Sequence, residues 1–178
     1  RTLEGKSPSS VSYAGLPSTG GRLDKGQRHT HCSRALDRQL LSKLRMLDPG
    51  GEMWFSFFVS DGAKRSLTFQ GPKTSFGIEV RGSKNTGVHA ILNGEGGSHR
   101  NAWSRSSGLR FPEGPHLIVG RCVWGKTDKD PDTVEAFRVF NAPGYGIVLI
   151  ENPVSVAKGV IPQETITAID LFLFDEAP

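Results

Sequence analysis

The sequence holds little cysteine, no long apolar run, no massed charge and only one segment of helical periodicity. Its 178 residues include two cysteines, Cys32 and Cys122. They form no CxxC and no metal-ligand spacing, which removes the usual cysteine metal sites. An exported protein would permit a bridge between them if the fold brought them together. A buried free thiol is the simpler reading for Cys122, which sits inside an apolar run at 117–124. No stretch approaches the ~18–20 apolar residues of a membrane helix, so no membrane insertion is expected. The net charge is +4, but the Lys and Arg residues are scattered. Without a dense basic run or a recognised motif, nucleic acid is not an expected partner. The modest basic excess leaves anionic polysaccharide or another cell-surface polymer as the partner that charge favours. No Met opens the chain and no signal peptide is present, so Arg1 reads as a processed or trimmed end.

What the chain does have is turns. It carries 22 Gly and 11 Pro, which punctuate many short β-branched and aromatic runs. That pattern predicts an all-β sandwich or barrel, and the length suits one well-buried core. Residues 1–10 read as a flexible N-terminal segment and 11–178 as a single domain. Short strands are expected at 11–14, 20–23 and 30–35, the last two at a sheet edge. Residues 52–81 read as three consecutive strands, a central inner strand and its two neighbours. Trp54, Phe55, Phe57, Phe58 and Val59 make the first apolar on both faces, as in a strand buried between two layers. Asp61-Gly62 and Gly71-Pro72 mark the turns, and Phe76, Ile78 and Val80 alternate with polar neighbours. Further strands are expected at 88–92, at 115–124 with a hairpin partner at 133–140, and at 166–174. In the last, Ile169, Leu171 and Leu173 face one side, with Asp170, Phe172 and Phe174 on the other. Residues 141–157 read as an irregular Gly/Pro-rich passage around Tyr145.

One helix is expected, at 37–47, with Asp37 as N-cap, Leu40, Leu41, Leu44 and Leu47 on one face, and Asp48-Pro49-Gly50-Gly51 as its stop. The helix is expected to close one end of a sandwich, the alternative being a helix that binds a partner.

Candidate functional residues fall in loops. Residues 93–108 form a long polar loop around Trp103, and structureless stretches of that length are often functional. Trp103 either folds back onto the sheet or faces solvent. In the second case, with His99, Arg100 and Asn101 beside it, it has the composition of a sugar-binding surface. The ring stacks on a pyranose while the polar groups bond its hydroxyls. In the loop GKTDKDPD, Asp128, Asp130 and Asp132 alternate as calcium-loop acids do, followed by Glu135. The glycine of a calcium loop is missing, however, and turn chemistry also explains Asp-Pro-Asp. No cofactor is required by the sequence, and Ca2+ is the one ion these acids suggest.

Dedicated catalytic chemistry is not visible. His29, His31, His89, His99 and His116 stand in no nucleophile context. His29-Thr30-His31 would put two rings on one strand face, but a zinc site needs a third ligand. Asp170, Asp175 and Glu176 straddle a strand end, and Glu79 and Glu95 are isolated, so no facing pair of carboxylates for glycoside hydrolysis stands out.

The order of motifs nonetheless resembles a known group. SVSYAGLPSTGGRL, SRAL, DRQLLSKL, a Gly-rich stop and MWFSFFV are followed by SLTFQG, FGIEVRG, HLIVGRCVWG, a DTV-initiated strand and IDLFLFDE. Over residues 9–176 this is similar to the LamG-like jelly-roll domains of exported bacterial proteins, in the concanavalin A-like lectin/glucanase superfamily. The resemblance implies a two-sheet antiparallel jelly-roll sandwich, usually a non-catalytic module for adhesion or carbohydrate binding, secreted, periplasmic or at the cell surface. It also implies terminal strands outside this stretch. The superfamily's glucanases carry a Glu-x-Asp-x-x-Glu strand. Around Asp170, Ala168 and Leu173 stand where its glutamates should be, which argues against that catalysis. The leading expectation is therefore a secreted carbohydrate-binding module that is not an enzyme, with an anionic glycan among its ligands. The alternatives are a structural or interaction domain of a larger extracellular protein or assembly, with protein partners, and a glycoside hydrolase or polysaccharide lyase.

Overall fold

A computed structural model describes residues 29–60, 64–81, 87–93, 115–142, 146–149, 152–162 and 166–174. Among these residues, ten strands and one short helix follow in the order β1 (His29–Ala35), α1 (Arg38–Lys43), β2 (Glu52–Ser60), β3 (Lys64–Gln70), β4 (Ser75–Arg81), β5 (Gly87–Asn93), β6 (Pro115–Val123), β7 (Asp132–Ala142), β8 (Gly146–Leu149), β9 (Ser155–Gly159) and β10 (Ala168–Phe174). They build two antiparallel sheets, in a jelly-roll-like sandwich as expected. The first runs β1-β10-β3-β4-β5, and the second runs β2-β6-β7-β8 with β9 also on β7. The long strand β7 carries β9 along its first half and β8 along its second. The passage at 141–157, expected to be irregular, thus supplies two strands. Among the described residues, no helix is long and apolar enough to cross a membrane.

The period-2 pattern explains the core. Leu67, Phe69, Phe76, Ile78, Val80, Val88, Ala90 and Leu92 face inward from the first sheet, opposite Met53, Val59, Ile118, Cys122, Val134, Ala136 and Ala157 of the second. Aromatic rings link the layers. Phe55 meets Phe69 edge-on at 5.1 Å, Phe69 stacks on Phe76 at 4.8 Å, and Phe76 meets Trp124 edge-on at 5.3 Å. Gly120 leaves the space that the Phe55 ring fills. At one border Ser155 Oγ of β9 accepts the Ala90 N–H of β5 at 2.9 Å, joining the second sheet to the outer strand of the first.

Three expectations need correction. Residues 52–81 do not form three neighbouring strands, because β2 belongs to the second sheet and β3 and β4 to the first. Nor is β2 a central strand: among the described residues it pairs only with β6, and Trp54 is 41% exposed. A local apolar run records how much of a strand is covered, not which sheet it joins or what covers it. The helix is also shorter than 37–47. Asp37 caps it as expected, accepting the Leu40 N–H at 3.1 Å. It ends at Leu44 because Arg45 turns left-handed (φ 57°), with Arg45 N–H bonded to Ser42 C=O and Met46 N–H to Leu41 C=O. That pair of bonds is a Schellman ending. Leu41 is buried while Leu40 and Leu44 are exposed, so the leucine stripe covers less of the sandwich than its periodicity implies.

Candidate functional site

The strongest site lies on the outer face of the second sheet. Met53, Phe55, Cys122 and Val134 point inward, so Trp54, Arg121 and Glu135, which lie side by side across β2, β6 and β7, point outward. Phe137 follows Glu135 on the same face. Its ring stacks on Trp54 at 5.6 Å with an interplanar angle of 28°. The Arg121 guanidinium sits 5.2 Å from the Trp54 ring centre and 5.6 Å from that of Phe137. Two glutamates hold that guanidinium. Its Nε donates to Glu135 Oε2 at 2.6 Å, Nη2 lies 2.6 Å from the same oxygen, and Nη1 lies 3.7 Å from Glu52 Oε2. Charge-assisted bonds of this length fix the guanidinium, and it in turn fixes the indole. Trp54 is therefore a preorganised ring, open to solvent over much of its surface, with Glu52 and Ser56 exposed beside it on the same strand. Chemically, such a platform stacks on a flat apolar surface while its rim accepts hydrogen bonds from hydroxyl groups.

A second polar surface lies on the outer face of the first sheet. One row across the strands reads His31, Phe172, Ser66, Glu79, His89, and the next reads Ser33, Asp170, Thr68, Gly77, Ile91. Ser66, Thr68, Glu79, His89 and Asp170 are all buried, although they point away from the core. His31 stacks on Phe172 at 4.2 Å, and its Nε2 lies 3.3 Å from Asp170 Oδ2. Asp170 Oδ1 is buried without a hydrogen-bond partner. Arg81 pairs with Glu79, Gln70 donates to Thr68 Oγ1 at 2.8 Å, and Asn93 donates to Ser75 Oγ at 2.9 Å. Glu79 and Asp170 stand two strands apart and one row out of step, about 12 Å between Cα atoms at ordinary strand spacing. Residues that looked isolated along the chain thus share a face.

Trp103, His99, Arg100 and Asn101 lie outside the described residues. The calcium-loop acids are described and do not converge. Among the described residues, no three His, Cys, Asp or Glu side chains form a metal-holding group. Asp132 is buried, and its Oδ1 and Oδ2 accept the Gly125 and Ile161 N–H groups at 2.9 and 2.6 Å. Asp130 Oδ2 accepts from Thr127 N and Oγ1, both at 3.0 Å, as turn chemistry predicts, while Asp128 is exposed. Cys32 and Cys122 are free, the first half-buried and the second buried. Burial, and to a lesser degree the neighbouring Asp132 charge, pushes the Cys122 thiol well up from its ordinary value.

The exposed indole expected at Trp103 is found at Trp54, which the sequence places in the core. The signal was there: Glu52, Trp54 and Ser56 share one strand face, and two polar flanks mark that face as outward. No family model, curated protein or solved structure matches the chain.

Proposed function

We propose that this domain is a non-catalytic carbohydrate-binding module of an exported protein, and that Trp54 is its principal contact. The observation that carries this reading is the half-exposed indole fixed by Arg121 and Phe137 and rimmed by carboxylates. A pyranose offers an apolar C–H face to such a ring and hydroxyls to such a rim. Trp103, His99, Arg100 and Asn101 are proposed as further contacts on the same argument of composition. A glycan array probed with wild type, Trp54→Ala and Trp103→Ala tests the assignment. Binding is expected for wild type and lost in Trp54→Ala. Absence of binding to every glycan, or unchanged binding in both variants, overturns it.

One observation favours a second reading, a glycoside hydrolase or polysaccharide lyase. Asp170, Glu79, His31 and His89 share the outer face of the first sheet, and an imidazole beside a carboxylate is the raw material of acid–base chemistry. Turnover of a polysaccharide panel that disappears in Asp170→Asn or Glu79→Gln would establish it.

A further inference from the structure

Resting on the carbohydrate reading of Trp54, we infer that this platform selects uncharged pyranose polymers and rejects anionic ones, against the pull of the chain's net charge of +4. Arg121 is the natural anion ligand here, but it already carries one carboxylate and faces a second. Nε donates to Glu135 Oε2, Nη2 lies 2.6 Å from the same oxygen, Nη1 leans toward Glu52, and its flat face lies against the Trp54 and Phe137 rings. A uronate or sulfate arriving at Trp54 would reach the remaining guanidinium donors only beside the Glu52 and Glu135 carboxylates, whose like charge opposes it.

The accessible charge beside the indole is of the opposite sign. Glu52 is exposed, and its 3.7 Å approach to Arg121 leaves it acceptor capacity. Counting one guanidinium against two carboxylates leaves the immediate site one negative charge. In the loop after β6, Lys126 packs beside Gly50, but that loop carries two lysines and two exposed aspartates, and on the strands of this face the other described cation, Lys158, faces outward three strands away from Glu52, in the row Glu52, Val123, Thr133, Lys158. Strand spacing puts that separation at about 14 Å, beyond the Debye length at physiological salt. Hydroxyl donors of a neutral sugar suit Glu52, and a carboxylate does not.

Binding of a neutral polymer (dextran or a soluble β-glucan) and of a uronate polymer (alginate or polygalacturonate) is measured by calorimetry and tryptophan fluorescence at about 20 mM and about 300 mM NaCl. The expected result is Trp54-dependent binding of a neutral polymer that does not change with salt and weakens at least about tenfold in Trp54→Ala. Trp54→Phe should recover part of it. Uronate binding should be weak, lost at high salt and indifferent to Trp54, with Glu52→Gln narrowing the gap between the two classes. Uronate bound as tightly as neutral polymer in a Trp54-dependent way overturns the charge selection and leaves the carbohydrate reading standing. If neither class binds, or binding ignores Trp54, both are overturned. Glu52 is a half-exposed strand residue, so Glu52→Gln keeps the fold, and thermal melting of each variant confirms this.

Discussion

Asp132 shows how little a residue type decides without its neighbours. As one of three alternating acids it resembles a cation ligand, but both its oxygens accept backbone N–H groups, one at the end of β6 and one beyond β9. It pins two connections to the start of β7. Replacing it with Asn leaves a single acceptor for two buried donors, which is expected to cost about 1–3 kcal/mol. Urea unfolding of Asp132→Asn against wild type measures this, and an unchanged midpoint would refute the pinning role. Trp54 makes the converse point. Its indole reads as core by composition, whereas Arg121 and Phe137, far along the chain, give it a support that leaves it open. Nothing local in the sequence reveals such cross-strand partners. Only the alternation with Glu52 and Ser56 hints at the outward face.

At the scale of elements, strands were legible and their neighbours were not. The β3–β4 and β6–β7 hairpins follow from turn residues and alternation, and the structure has both. The passage from β2 to β3 crosses between sheets, which the same cues cannot distinguish from a hairpin. Position 77 gives the β3–β4 pairing a sharp test. Gly77 has φ 155°, and a Cβ there would collide with Leu67 O and come within 2.8 Å of Thr68 Cα. The obstacle is backbone, so it cannot be relieved by a rotamer change. Gly77→Ala is therefore expected to destabilise the domain by roughly 1–3 kcal/mol or more. A fall in the thermal midpoint of several degrees checks it, and a neutral substitution would mean that the strand pair is looser than described. The helix illustrates the other direction. Its cap at Asp37 was readable, but its early end rests on Arg45 adopting a conformation that favours glycine, which no sequence rule would assign to arginine.

For the molecule as a whole, fold class came through because most short runs alternate with period 2 and most boundaries carry Gly, Pro, Asn or Asp. The candidate site was less legible, since it is assembled from three strands of one sheet. The two layers also confer a pH dependence through Cys122, which lies in the core they enclose. Its thiol is held protonated by burial in the native state, whereas in the unfolded chain it titrates near ~8.5. Above that pH the unfolded chain loses a proton that the native one keeps, so stability falls as pH rises, by about 1.4 kcal/mol per unit; below it the contribution is constant. The difference in unfolding free energy between wild type and Cys122→Ala, followed from pH 7 to about 10, should shrink along that slope. A difference independent of pH would show that the thiol is reached by solvent.

The bond from the Ala90 N–H to Ser155 has a consequence beyond the packing of the two sheets. An outer strand with free N–H groups is a template on which another chain can add itself. By giving the Ala90 N–H a hydroxyl acceptor from the opposite layer, β9 takes away a rung that a stray strand would need. A single serine on a five-residue strand thus closes one rung of β5 from within the fold rather than by placing charge on the surface.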